Sequence, residues 1–280
     1  MTREEIEEQI AVKQSVLCIG LDTDLEKIPP HLWAAEDPIF EFNKAIIEAT
    51  HSYAVAYKPN VAFYEAEGVQ GWKSLEKTIN YLNKNHPQIF TIADAKRGDI
   101  GNTSRRYAQA FFNTLNFNAL TIAPYMGSDS VKPFLETAGK WPIVLGLTSN
   151  AGAADFQFSS LAKKNGQGQK FLFEKVLNQV AKWGSAEQLM FVVGATKTKY
   201  LQQVRKIIPH HFLLVPGVGA QGGSLQGVLK WGRARQGIGL LVNSSRGIIY
   251  KDSSKNFAQA SAKEAENLQK QMKELLFLSS

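Results

Sequence analysis

The chain has 280 residues, 44% hydrophobic and 20% charged, with 32 Lys and Arg against 25 Asp and Glu for a formal charge of +7. That length allows one large domain or two small ones, and the composition excludes a disordered chain, a collagen-like repeat and a small disulfide scaffold. No apolar run approaches the ~18 residues of a membrane helix. The start, Met1-Thr2-Arg3-Glu4-Glu5, lacks the basic and apolar stretches of a signal peptide. A single cysteine, Cys18, fits a reducing compartment. The expectation is a cytoplasmic protein with no membrane association. The pI near 9.3 suits an anionic partner, whether nucleic acid, anionic lipid or a phosphorylated metabolite, and equally an inert basic surface. The longest basic clusters are pairs, Arg105-Arg106 and Lys163-Lys164, so no nucleic-acid tail is expected.

A helix comes first, opened by Thr2-x-x-Glu5, which reads as a capping box. Short apolar, β-branched runs then alternate with longer segments of helical period. The predicted strands are 16–21, 54–58, 90–94, 119–123, 143–147, 189–193, 212–216 and 238–243. The predicted helices between and after them are 37–51, 70–85, 102–115, 128–138, 168–183, 198–207, 223–232 and 256–277. Several strands are apolar on both faces, as parallel strands covered by helices are. Eight such units without a linker predict an α/β fold, a single (β/α)8 TIM barrel over residues 1–280 with an extra N-terminal helix. A doubly wound open sheet is the structural alternative. The last helix carries Ala258, Ala262, Ala265, Leu268, Met272 and Leu275 on one stripe. The longest connection, 148–168, has the length of a lid or binding loop.

In such a barrel, chemistry gathers at the C-terminal ends of the strands. The first strand ends at Asp22, the second in Lys58-Pro59-Asn60, the third in Asp94-Ala95-Lys96-Arg97-Gly98-Asp99 and the fifth in Thr148-Ser149-Asn150. Period-two alternation puts Asp94 and Lys96 on one face, and Lys58, one strand away, can lie beside Asp94. Lys58, Asp94, Lys96 and Asp99 then form an alternating row in which flanking carboxylates keep each lysine protonated. Removing one member would leave a charge unpaired. A surface salt-bridge cluster is the plainer alternative.

The seventh strand runs into Pro216-Gly217-Val218-Gly219-Ala220-Gln221-Gly222-Gly223, and the eighth into Asn243-Ser244-Ser245-Arg246-Gly247. Glycines let backbone N–H groups approach an anion, helix starts add positive dipole, and Arg246 offers a fork of donors matched to phosphate oxygens. Gln221 can reach a phosphate or a ring oxygen as a lid closes. Tight turns alone are the competing explanation. The histidines at 31, 51, 86, 210 and 211 lack metal-ligand spacing, and no zinc cluster, P-loop or nucleophile elbow is present. The tryptophans read as packing residues and Cys18 as inert core.

Taken together, these residues resemble the orotidine 5'-phosphate decarboxylase family over nearly the whole chain. The run Asp94-Ala95-Lys96-Arg97-Gly98-Asp99-Ile100-Gly101-Asn102-Thr103 is similar to its signature, and Lys58-Pro59-Asn60, Pro216-Gly217-Val218-Gly219 with Gln221, and Ser245-Arg246-Gly247 follow in order. The length and the long fifth loop resemble the larger bacterial-type branch. One departure is Ser245, where many members carry glycine before the arginine. The resemblance implies decarboxylation of orotidine 5'-phosphate to uridine 5'-phosphate in pyrimidine biosynthesis, with no cofactor and no metal. It implies that Lys96 stabilises the C6 carbanion and protonates it, and that Asp94 faces the leaving carboxylate. Lys58 and Asp99 hold the row and contact the ribose, Asp22 binds a ribose hydroxyl, and Ser149 pairs with the pyrimidine edge. Pro216, Gln221, Gly222, Ser245 and Arg246 make the base and phosphate contacts. It further implies a homodimer in which Asp99 and Thr103 cross into the partner's site and Ile100 packs near the substrate carboxylate. Related barrels that act on sugar phosphates, such as hexulose-phosphate synthases, share Asp-x-Lys-x-x-Asp and use magnesium. By resemblance they carry an acidic metal ligand where this chain has Lys58. A metal-dependent sugar-phosphate lyase and a non-catalytic nucleotide or nucleic-acid binder are the alternatives.

Overall fold

The computed structural model describes residues 1–162, 170–218 and 222–278. The strands β1 (Leu17–Leu21), β2 (Ala56–Pro59), β3 (Phe90–Arg97), β4 (Ala119–Ile122), β5 (Trp141–Leu147), β6 (Met190–Val193), β7 (Phe212–Pro216) and β8 (Leu240–Ser244) follow one another in chain order as a closed barrel. Every residue of β1, β2, β4 and β6 is buried. That burial explains why these strands read as continuous apolar runs rather than as an alternation. The helix Arg3–Lys13 precedes β1, with Thr2 and Glu5 closing the capping box from both sides. The (β/α)8 barrel with an extra N-terminal helix is therefore the observed fold, and the open sheet is not.

Contacts group the chain into two compact units. The first comprises residues 1–95, 109–120 and 241–280. In it β8, β1, β2 and β3 run parallel, with Cys18 opposite both Asn243 and Ala56, and Tyr57 opposite Thr91. The helix Pro38–Thr50 starts where a proline is tolerated, in a first turn, and Asp37 caps it by accepting the Phe40 amide at 3.0 Å. Its buried Asn43 ties Thr23, Tyr64 and Thr78 into one hydrogen-bonded network at 2.6–3.0 Å. The Tyr64 hydroxyl in turn donates to the Leu21 carbonyl at 3.2 Å. The end of β1 is thereby fixed by satisfied buried polar groups.

The second unit comprises residues 96–108 and 121–240. Its strands β5, β6 and β7 are parallel, with Val144 opposite Phe191 and Phe191 opposite Leu213. The described part of the long connection after β5, residues 148–162, is organised. A short helix, Ala153–Phe156, forms within it. Gln157 accepts the Thr148 amide and donates to the Thr148 hydroxyl, each at 2.8 Å. Ser160 bridges Phe171, and Phe158, Phe171, Phe173 and Tyr200 pack ring against ring.

Predicted and observed elements differ in instructive places. The single helix expected over 102–115 is an α-helix, Gly101–Ala108, followed by a π-turn, Gln109–Thr114. The helix expected over 128–138 shrinks to a 3-10 turn, Gly127–Ser130, and one turn of α-helix, Lys132–Leu135. Pro133 fits only a first helical turn, so no helix passes through it from residue 128. Three short helices, Val61–Glu65, Ala153–Phe156 and Arg246–Ile249, have no counterpart in the sequence reading.

Candidate active site

In the first unit, Lys58 lies one residue before the end of β2 at 4% exposure. Its Nζ donates to Asp94 Oδ2 at 2.7 Å and lies 3.9 Å from Asp22 Oδ1. The strand register continues as far as a bridge between Asn60 and Asp94, which brings the ends of β2 and β3 side by side. Burial opposes the charge on Lys58, but the carboxylates of Asp94 and Asp22 outweigh it, and the ammonium titrates above its ordinary value. The predicted pairing of Lys58 with Asp94 is present. Asp22, expected only as a ribose ligand, joins the same cluster. Its buried Oδ1 has no hydrogen-bond donor among the described residues, although a carboxylate oxygen out of water calls for one. The Tyr250 hydroxyl holds this loop, donating to the Asp22 carbonyl at 2.9 Å and accepting the Asp24 amide at 2.7 Å.

Ser245 and Arg246 follow β8. Asn243 Nδ2 donates to Ser245 Oγ at 3.2 Å, and a side chain at position 20 would collide with that hydroxyl, so Gly20 is what lets Ser245 settle against β1. Arg246 begins the helix Arg246–Ile249 and is exposed. Cys18 is buried, free and pushed up to about 12 by its burial, in keeping with an inert core thiol.

In the second unit, Lys96 is exposed and takes φ +48, although it lies within β3. A left-handed residue breaks the extended repeat, so the alternation expected to carry Asp94 and Lys96 on one face does not run through position 96. The Lys96 amide donates to Thr121 Oγ1 at 2.9 Å, and the next carbonyl, Arg97 O, accepts the Ala123 amide at 2.8 Å. Asp99 Oδ1 accepts the Ile100 amide at 2.7 Å, while Ser104 bonds both the amide and the carbonyl of Asp99. Ile100 is 57% exposed, and Thr103, on the helix Gly101–Ala108, is exposed too. Tyr125 and Met126, just past β4, add further exposed apolar surface at 88% and 55%. Ser149 is half-buried beyond β5. A Cβ at residue 194 would stand 2.7 Å from both the Cβ and the amide nitrogen of Ser149, so only glycine permits that approach. Pro216 ends β7, and Val218 bridges Gly223 beside the exposed Gly222. Gln221 lies outside the described residues.

Thr121 and Tyr250 do not emerge from the sequence, and Asn243 emerges only as a member of the eighth strand end, without its contact to Ser245. The available signal is weak: a polar residue where a strand is otherwise apolar, as Thr121 and Asn243 are at 1% and 7% exposure. Among the described residues, no group of three or more His, Cys, Asp or Glu is arranged to hold a metal ion.

A closed barrel of eight parallel strands in chain order defines the class of (β/α)8 barrel proteins, whose chemistry gathers at the C-terminal strand ends. Residues 15–261 match the model of the orotidine 5'-phosphate decarboxylase / HUMPS family, and the chain belongs to that family. It is 60% identical over 272 residues to the orotidine 5'-phosphate decarboxylase of Christiangramia forsetii, covering 97% of each chain. To that of Flavobacterium johnsoniae it is 57% identical over 276 residues, covering 99% of this chain and 98% of the relative. Among solved structures it is similar to Leishmania donovani OMP decarboxylase, with a TM-score of 0.79 and 36% identity over 96% of this chain and 99% of that one.

Proposed function

We propose that the chain decarboxylates orotidine 5'-phosphate to uridine 5'-phosphate and CO2, without metal or cofactor, in a reducing cytoplasm. The observation that carries this reading is the 60% identity to a relative of that name over 97% of both chains. The family also contains enzymes of another activity, and Lys58 favours the decarboxylase. Its ammonium, within 4 Å of Asp22 and Asp94, already supplies the positive charge that a divalent ion would bring to two carboxylates.

The reaction breaks the bond between C6 and the carboxylate carbon and leaves the electron pair on C6, in the ring plane, where the π system cannot take it up. Stabilisation must come from fixed charge. Lys96 supplies the ammonium that meets the developing carbanion and donates a proton to C6, and the neutral amine regains a proton from solvent. Asp94 faces the departing carboxylate, held by Lys58. Asp22 Oδ1, buried and without a donor, accepts a ribose hydroxyl. Lys58 and Asp99 complete the ribose contacts, and Ser149 reads the pyrimidine edge. Pro216, Gln221, Gly222, Ser245 and Arg246 bind the base and the phosphate. Phosphate binding energy, spent on closing loops far from C6, lowers the barrier rather than the ground state.

The active species is a homodimer. Asp99 and Thr103 reach the partner's site and Ile100 packs near its substrate carboxylate, a reading supported by the exposure of Ile100, Thr103, Tyr125 and Met126. No nucleic-acid or membrane partner belongs to this reading. Among the described residues no helix is long and apolar enough to cross a membrane. The test is an absorbance assay with orotidine 5'-phosphate in the presence and absence of EDTA. Turnover unaffected by chelator is expected. Activity lost to EDTA, or none with this substrate, overturns the proposal.

A further inference from the structure

We propose that Thr121 is a positioning residue for Lys96, its hydroxyl holding the lysine backbone in the left-handed conformation from which the ammonium is presented to substrate. The inference rests on the reading of Lys96 given above and adds a residue to it.

Three non-glycine residues among those described have positive φ: Gln14, Lys96 and Asn116. Gln14 ends the helix Arg3–Lys13, where a left-handed cap is ordinary. Asn116 lies two residues beyond the π-turn Gln109–Thr114, and asparagine tolerates this conformation better than most residues. Lys96 has neither excuse. It stands inside β3, it has a Cβ, and φ +48 is disfavoured for it. Strain of this kind persists only where surroundings impose it, and it gathers at functional positions.

Two contacts to this backbone come from β4 and its continuation. Thr121 lies in Ala119–Ile122 at 1% exposure, and its Oγ1 accepts the Lys96 amide at 2.9 Å. Two residues on, the Ala123 amide donates 2.8 Å to Arg97 O. The backbone around residue 96 is thus held on its N–H side by a side chain and one residue later by a main-chain bond. A valine of the same shape would fill the strand position equally well, but it would leave the Lys96 amide without this acceptor. The hydroxyl is what sets the geometry, and geometry at a reacting group is worth orders of magnitude in rate for displacements near 1 Å.

Thr121→Val removes the acceptor at nearly constant volume, and Thr121→Ser keeps it. With orotidine 5'-phosphate as substrate, Thr121→Val should lower kcat about tenfold or more with KM within about twofold, because the loss falls on the transition state. Thr121→Ser should stay within about threefold of the wild type in both. Amide hydrogen exchange at Lys96 gives a readout independent of turnover: protected in the wild type and in Thr121→Ser, open in Thr121→Val. Thr121→Ala is the second variant should valine not yield folded protein. The proposal is overturned by an unchanged kcat in Thr121→Val, by an equal loss in the serine and valine variants, or by a Lys96 amide that stays protected without the hydroxyl. If the wild type itself fails to turn over this nucleotide, the functional reading falls and the catalytic part of this proposal with it. The exchange measurement then still decides whether Thr121 holds the Lys96 backbone.

Discussion

Lys58 and Lys96 close neighbouring strands of the sequence, and the protein holds them by opposite means. Lys58 is 4% exposed in ordinary strand conformation, and it is fixed by charge: Asp94 at 2.7 Å and Asp22 at 3.9 Å. Lys96 is exposed, departs from strand conformation at φ +48, and is fixed through its backbone by Thr121. A lysine locked between two carboxylates is a poor proton donor, since its neighbours keep it charged. A lysine positioned through its main chain is, in the proposed reaction, the one whose ammonium gives a proton to substrate. The contrast divides the labour. In the proposed reaction Lys58 holds the acidic groups in place and Lys96 meets the carbanion.

The largest effect that would break this division concerns turnover. Lys96→Ala should lower kcat by at least about a thousandfold while the melting temperature changes little, because an exposed side chain contributes little to stability. Near-normal turnover in this variant, measured by the absorbance of orotidine 5'-phosphate, would remove Lys96 from the mechanism. Lys58→Met should show the reverse emphasis on stability. It removes the ammonium that lies 2.7 Å from Asp94 and 3.9 Å from Asp22, and breaking such a buried pair costs about 3–5 kcal/mol. The sign of the pH dependence follows. Lys58 titrates above its ordinary 10.5, so the stability it contributes is present below that pH and is lost as pH rises through the folded value. In Lys58→Met both carboxylates lose that ammonium and protonation relieves the loss, so denaturation by urea should show the deficit against the wild type shrinking as pH falls from 7 toward 4. A deficit that does not shrink in that range would mean that the carboxylates do not depend on Lys58.

The same contrast explains what could be read in advance. Lys58, Asp94 and Asp22 are visible in the sequence as charges at the ends of apolar runs, where burial demands partners, and the predicted strands lie within a few residues of the observed ones because both faces are apolar. The conformation of Lys96 was not visible. Asp-Ala-Lys-Arg contains no glycine or asparagine to mark a left-handed residue, and its cause is a hydroxyl 25 residues away in an ordinary β-branched position. The approach of Ser149 to Gly194 and of Ser245 to Gly20 was hidden for the same reason, since each joins distant parts of the chain. The helices Val61–Glu65 and Arg246–Ile249 are too short to show a period.

A smaller measurement sharpens the account of Lys96 itself. Alanine normally stabilises an extended or helical segment relative to glycine, by roughly 0.5–1 kcal/mol. At a left-handed residue the order inverts, because the Cβ penalty of roughly 1–2 kcal/mol vanishes in glycine. Lys96→Gly should therefore be more stable than Lys96→Ala by about 1 kcal/mol in urea denaturation. Alanine above glycine would show that position 96 is not strained in solution.

The smallest effect asks whether the two kinds of residue serve one site from two chains. Asp99 and Thr103 lie in a segment whose neighbour Ile100 is 57% exposed, as a contact with a second copy requires. Mixing Lys96→Ala protein with Asp99→Ala protein gives hybrid dimers in which one site carries both defects and the other neither. Random exchange makes half the dimers hybrid, each with one intact site of two, so activity should recover to about a quarter of the wild type from two nearly inactive parents. Subunit exchange must be confirmed separately, for instance by mass spectrometry of tagged chains. Exchange without recovery would place Asp99 in its own protomer's site and confine the chemistry of each lysine to a single chain.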